Sequence, residues 1–208
     1  EGFVTYFEDR IIDAAYGEKH SLVDILGYCI GNRELSRVEY STMHNPREGT
    51  VSRPGWMFTD RNFKPLIYSK TATTLHTLQA LVGDAQMDKI IQAYFERWKF
   101  KHPRGSDFMN LLHTELMAGK DTGYAKQVYQ LFEKSIYDAV VLDYAVTDIS
   151  NETLIPAQGV FGANDSDLQY KGDNGTRTLL SKVEVKRLGD WVFPVEILVT
   201  FEDGSTQM

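Results

Sequence analysis

The chain has 208 residues, 42% apolar and 25% charged, with a net charge of -7 and a pI near 5.2. That length buries roughly two thirds of its unfolded surface, in one large domain or two small ones, and the composition is ordinary for a globular protein. The acidic balance leaves no cationic surplus for a phosphate backbone, no apolar run approaches the roughly 20 residues of a membrane helix, and Cys29 as single cysteine excludes an internal disulfide.

At the start of the chain, Phe3, Val4, Phe7, Ile11, Ala14 and Ala15 recur at helical spacing over residues 2–16, and Gly17 supplies a stop. Glu1 falls at the first turn, where a carboxylate also suits the positive end of the helix dipole. Glu8, Asp9 and Glu18 read as a solvated face. Residues 20–37 predict a second helix, with Leu22, Ile25, Leu26, Cys29 and Ile30 on one side and Ser21 as cap. Residues 40–65 carry Pro46, Gly49, Pro54, Gly55 and Pro65 and predict a long irregular connection. Trp56, Met57, Phe58 and Phe63 would be costly to leave in water, so that loop is expected to pack as the wall of a pocket.

Because Pro65 is expected to lie outside any helix, the next one is predicted from near Tyr68 to Gly83, with Ala72, Leu75, Leu78 and Val82 inward. Tyr68 and Lys70 then occupy its first turn, where a phenol can point into a cleft instead of the core. Further amphipathic helices follow around Met87 to Trp98, from Ser106-Asp107 to Leu116, and around Tyr124 to Ile136. The period changes to two near Val140. Leu142 to Ile149 predicts a strand, residues 155–177 a loop, Val183, Val185 and Arg187 a strand, Gly189-Asp190 a turn, and Val195, Ile197, Val199 and Phe201 a strand. Asp203-Gly204 signals a turn whose partner strand is expected beyond Met208, since an open sheet edge is avoided. Asn151, Asn164 and Asn174 each open a glycosylation triplet, which matters only in a secreted eukaryotic protein.

Four stretches resemble one family. Glu1-Gly-Phe-Val-Thr-Tyr-Phe-Glu, Tyr68-Ser-Lys-Thr-Ala, residues 94–108 with Lys101-His102-Pro103 and Asp107-Phe108, and residues 192–204 are similar to segments of the gluzincin zinc aminopeptidases, the alanyl aminopeptidase and leukotriene hydrolase type. In that family the first glutamate is the third zinc ligand and the tyrosine of a Tyr-x-Lys-Gly/Ala motif hydrogen-bonds the oxyanion of the tetrahedral intermediate. The resemblance therefore implies Glu1 as a metal ligand and Tyr68 as a catalytic residue. Thr71 stands where the family usually has Gly, a departure that bears on packing. The family's H-E-x-x-H helix is implied to lie before residue 1.

The fold implied is α+β: an antiparallel α-helical subdomain over residues 1–138, the second half of a zinc peptidase catalytic domain, followed by a partial β-sandwich over residues 139–208. The function implied is hydrolysis of N-terminal peptide bonds, with zinc as cofactor, and with a peptide substrate and the preceding part of the same protein as partners. Such a zinc site takes two histidines from one helical face at i and i+4. His20, His44, His76, His102 and His113 contain no such pair, so all five read as surface or core filler and the isolated chain is expected to be inactive. The competing reading is a non-catalytic interaction module of helices and β-sandwich. A carboxylate-pair hydrolase has no pair of acids to recommend it.

Overall fold

The computed structural model describes residues 1–119, 121–155, 157–173, 175 and 178–208. Asn174 and Thr176 of one glycosylation triplet and Arg177, the end of the predicted loop, lie outside them. The protein is α+β, and it divides into a unit comprising Glu1–Val141 with Phe193–Met208 and a second comprising Leu142–Val192.

In the first unit, α1 (Gly2–Tyr16) ends at Gly17 as the sequence predicts, but it buries a different face. Gly2, Tyr6, Asp9 and Asp13, one stripe at helical spacing, point inward, while Val4, Phe7 and Ile11 are exposed. Asp9 is therefore not on a solvated face.

The predicted helix over residues 20–37 is instead a hairpin, β1 (Val23–Ile25) with β2 (Tyr28–Ile30), followed by α2 (Asn32–Ser41). Leu26 and Gly27 have φ of 51° and 82°, so two successive left-handed residues turn the chain back on itself, and only the glycine does so without strain. Ser21 does act as a cap, at a distance: its Oγ accepts the Asn32 amide at 3.0 Å, at the start of α2.

Helix also begins earlier than expected before Tyr68. A short α3 (Asp60–Lys64) runs into a π-helical turn (Pro65–Lys70) and then α4 (Thr71–Val82), which ends at Gly83. Pro65 sits inside this run. It has no N–H to give and its ring collides with the carbonyl four residues back, and the wider i to i+5 register of the turn accommodates both. The Thr71 hydroxyl donates to the Leu66 carbonyl, five residues back, at 3.2 Å. The preceding loop does not bury its aromatics as predicted: Trp56 is 86% exposed and Phe63 37%.

Beyond it, α5 (Asp84–Trp98), α6 (Gly105–Met117) and α7 (Thr122–Tyr137) agree with the apolar periodicity. Leu75, Leu78, Ile90, Leu112, Val128 and Phe132 form the heart of the core, with Phe108 edge-on to Phe3 at 4.7 Å. The strand predicted over residues 195–201 contracts to β7 (Val199–Thr200), and its partner lies within the chain, at β8 (Thr206–Gln207), across the Gly204 turn.

The second unit is built on a long antiparallel ladder, β3 (Tyr144–Leu154) with β6 (Thr178–Arg187). The predicted loop between them contains a small hairpin, β4 (Gly159–Phe161) with β5 (Gln169–Lys171).

Candidate active site

Glu1 is exposed at the N-cap of α1, and its side chain accepts no capping hydrogen bond. The helix end behind it is pressed against the π turn. A Cβ at Gly2 would overlap Thr71 Cβ and Cγ2 and come within 2.7 Å of the Ile67 carbonyl oxygen. Glycine at position 2 is thus what admits the Thr71 side chain. The two residues so engaged, Ile67 and Thr71, bracket Tyr68.

A cavity of about 760 Å³ opens at this junction, lined by Glu1, Gly2, Phe3, Ile67, Thr71, Phe108 and Phe132, with Arg53 and Arg104 among its polar residues. Tyr68 itself is not in the lining. Its side chain is half-buried, with the ring 6.2 Å from that of Phe63. The structure therefore places Glu1 at the cavity and leaves Tyr68 outside its lining, next in the chain to the lining residue Ile67.

α2 supports the turn from behind. Ser69 Oγ donates to Glu39 Oε2 at 2.7 Å. Burial would raise the Glu39 carboxyl, but the hydrogen bonds from Lys64 and Ser69 outweigh it and hold the group below the usual carboxylate range. Lys70, next on the turn, is 1% exposed, and its Nζ finds no hydrogen-bond partner among the described residues. The Tyr40 ring lies 5.9 Å from the ammonium. Burial lowers its pKa to about 8, against a smaller opposing pull from Asp138.

Further along α4, His76 is buried and its Nε2 lies 2.9 Å from Asp9 Oδ2. The Tyr6 ring packs 4.7 Å from the imidazole, and the Tyr6 hydroxyl donates to Gln79 Oε1 at 2.9 Å. Arg33 Nε reaches Asp13 Oδ2 at 2.7 Å, although burial still leaves the Asp13 carboxyl above its ordinary range. This polar seam fastens α1 to α4 and keeps Glu1 at the junction. Sequence reasoning misses it because the apolar stripe of α1 points to the opposite face. The signal is present in the spacing, since Asp9 and Asp13 fall in line with Gly2 and Tyr6. Of the two alternatives the sequence leaves for His76, surface or core, the structure shows core, and the imidazole is paired.

Residues 1–134 match the sequence profile of the Peptidase family M1 domain. The chain is 31% identical over 115 residues to "Probable aminopeptidase 2" of Sulfurisphaera tokodaii, a stretch covering 54% of this chain and 14% of that protein. No solved structure matches it.

Proposed function

Since the chain belongs to peptidase family M1, we propose that it is a piece of a zinc aminopeptidase in which Glu1 is a metal ligand and the Tyr68 hydroxyl is the oxyanion donor. The observation that carries this reading is the close packing of Gly2 on Ile67 and Thr71, which holds the helix end bearing Glu1 against the turn bearing Tyr68. An exposed carboxylate that caps no helix N–H is a chemically suitable zinc ligand. The five histidines contain no i, i+4 pair, so on this reading the remaining ligands come from outside these 208 residues.

Zinc in such a site supplies a Lewis acid that activates water near neutral pH. The contribution of this chain is electrostatic and positional. Glu1 would supply one carboxylate ligand to the cation. The Tyr68 phenol O–H donates a hydrogen bond to the scissile carbonyl oxygen, where negative charge gathers. Losing one such donor costs about 3 to 4 kcal/mol, or about a hundred- to a thousand-fold in turnover.

The test is made in the full-length protein. Tyr68→Phe is expected to lower kcat by about that factor with zinc content unchanged, and Glu1→Gln to lose zinc. Full activity in Tyr68→Phe, or full zinc in Glu1→Gln, overturns the assignment. An intact wild-type protein that binds peptides without cleaving them favours the interaction-module reading instead.

A further inference from the structure

Away from the candidate active site, the β1–β2 hairpin carries a mixed donor set that the peptidase reading leaves unused. Asp24 and Cys29 are direct partners across the ladder, so their side chains emerge on the same face of the hairpin. The turn preceding β1, where the His20 amide donates to the Gly17 carbonyl at 3.2 Å, swings His20 over that face. The imidazole Nδ1 lies 3.0 Å from Asp24 Oδ2, and Cys29 Sγ lies 3.6 Å from Asp24 Oδ1. One nitrogen, one sulfur and one carboxylate oxygen all fall within 4.8 Å of one another.

We propose that His20, Asp24 and Cys29 form a surface site for a borderline-soft divalent cation of the zinc type. Donor chemistry selects the cation: a thiolate and an imidazole suit zinc or cadmium, whereas calcium and magnesium take oxygen sets. Bond lengths near 2.3 Å to sulfur and 2.0 to 2.2 Å to nitrogen and oxygen put ligand atoms about 3.2 to 3.8 Å apart around a tetrahedral ion. The three atoms need to shift by only about 1 Å to reach that arrangement. Asp24 sits between the other two and already engages both, so it is the hinge of the site. Binding expels the Cys29 thiol proton to solvent and leaves the fourth position open to water or to an external ligand. Because the ligands come from the turn and both strands, an ion there ties residues 17–20 to the hairpin.

The site is independent of Glu1 and Tyr68, and its test can be made on the 208-residue chain. Cadmium titration should produce the ultraviolet sulfur-to-cadmium charge-transfer band, saturating at one ion per chain, and zinc should shield Cys29 from alkylation by iodoacetamide. Cys29→Ser should abolish the band. His20→Ala and Asp24→Asn should each weaken binding about tenfold or more, while Glu1→Gln leaves it unchanged. All three residues are exposed, so the variants are expected to keep the wild-type far-ultraviolet dichroism. Absence of the band overturns the proposal. So does a band that titrates identically in His20→Ala and Asp24→Asn, which is the signature of a thiol acting alone.

Discussion

Replacing Lys70 by Met should stabilise the protein at neutral pH, and the gain should vanish in alkali. The lysine is 1% exposed and its Nζ has no hydrogen-bond partner among the described residues. Folding therefore removes an ammonium from water and returns only a ring face at 5.9 Å and a weaker pull from Asp138. The shift from 10.5 to about 8 measures that penalty, which amounts to about 3 kcal/mol at 1.36 kcal/mol per pH unit. Below pH 8 both the folded and unfolded chains hold the proton, so the penalty is present in full. Between about 8 and 10.5 the unfolded chain binds more protons than the folded one, and stability rises with pH. Above that window both states are neutral and the penalty is gone.

Methionine keeps most of the length of the stem and removes the charge. At pH 7 the variant should gain up to about 3 kcal/mol, or about 6 to 12 °C in Tm for a chain of this size. The assay is urea unfolding of wild type and variant at pH 7 and again above pH 10.5, taking the difference between them so that tyrosine titration cancels. A Lys70→Met variant less stable at pH 7, or a gain that does not change with pH, refutes the reasoning. Either result means that the ammonium has a compensating partner.

Three further substitutions probe the packing that positions the junction. Asp9→Ala leaves His76 buried with neither ring nitrogen paired, and should cost about 3 to 5 kcal/mol by urea unfolding; the paired replacement of Asp9 and His76 by apolar residues should recover most of it. Gly2→Ala drives a methyl into Thr71 and should cost about 1 to 3 kcal/mol, with partial rescue by Thr71→Gly; no rescue would mean that the Ile67 carbonyl is the true obstacle. Leu112→Ala, at a fully buried position in the heart of the core, should lower stability by about 2 to 5 kcal/mol, and a loss under about 1 kcal/mol would show that α6 collapses into the cavity.

What the sequence made legible was the part governed by one rule at a time. The helices α5, α6 and α7 follow apolar spacing alone, and Gly17 and Gly83 end α1 and α4 where the pattern ends. The errors occur where two rules compete. In residues 20–37 helical spacing of Leu22, Ile25 and Cys29 coincides with a Leu26-Gly27 turn, and the turn prevails because a left-handed glycine is a poor helix interior. Pro65 marks a helix boundary under an α register but not under a π register, and the register is set by packing against α2 and α1, which spacing cannot express. Asp9 is charged, hence read as wet, until a partner 67 residues away is known.

The same competition bears on the candidate site. A proline inside a helical run, a π turn, a left-over buried ammonium and a glycine with no room for a methyl all occur within the π turn or directly against it. Each is a cost that a regular helix start would avoid. By contrast, the C-terminal half of α4 is a regular helix, with Leu78 in the core and Gln79 accepting a hydrogen bond from the Tyr6 hydroxyl. Local violations that persist in an otherwise consistent fold concentrate where side-chain placement matters more than stability. In a π turn the extra residue per turn rotates the remainder of the helix, so Tyr68 projects in a direction that an α-helix begun at Pro65 would not offer. The bond from Ser69 to Glu39, the hydroxyl of Thr71 on the Leu66 carbonyl and the contact of Gly2 with Thr71 hold that rotation from three sides. If the phenol serves as the oxyanion donor, its aim depends on these contacts, and the stability lost at Lys70 is spent on the turn that sets it.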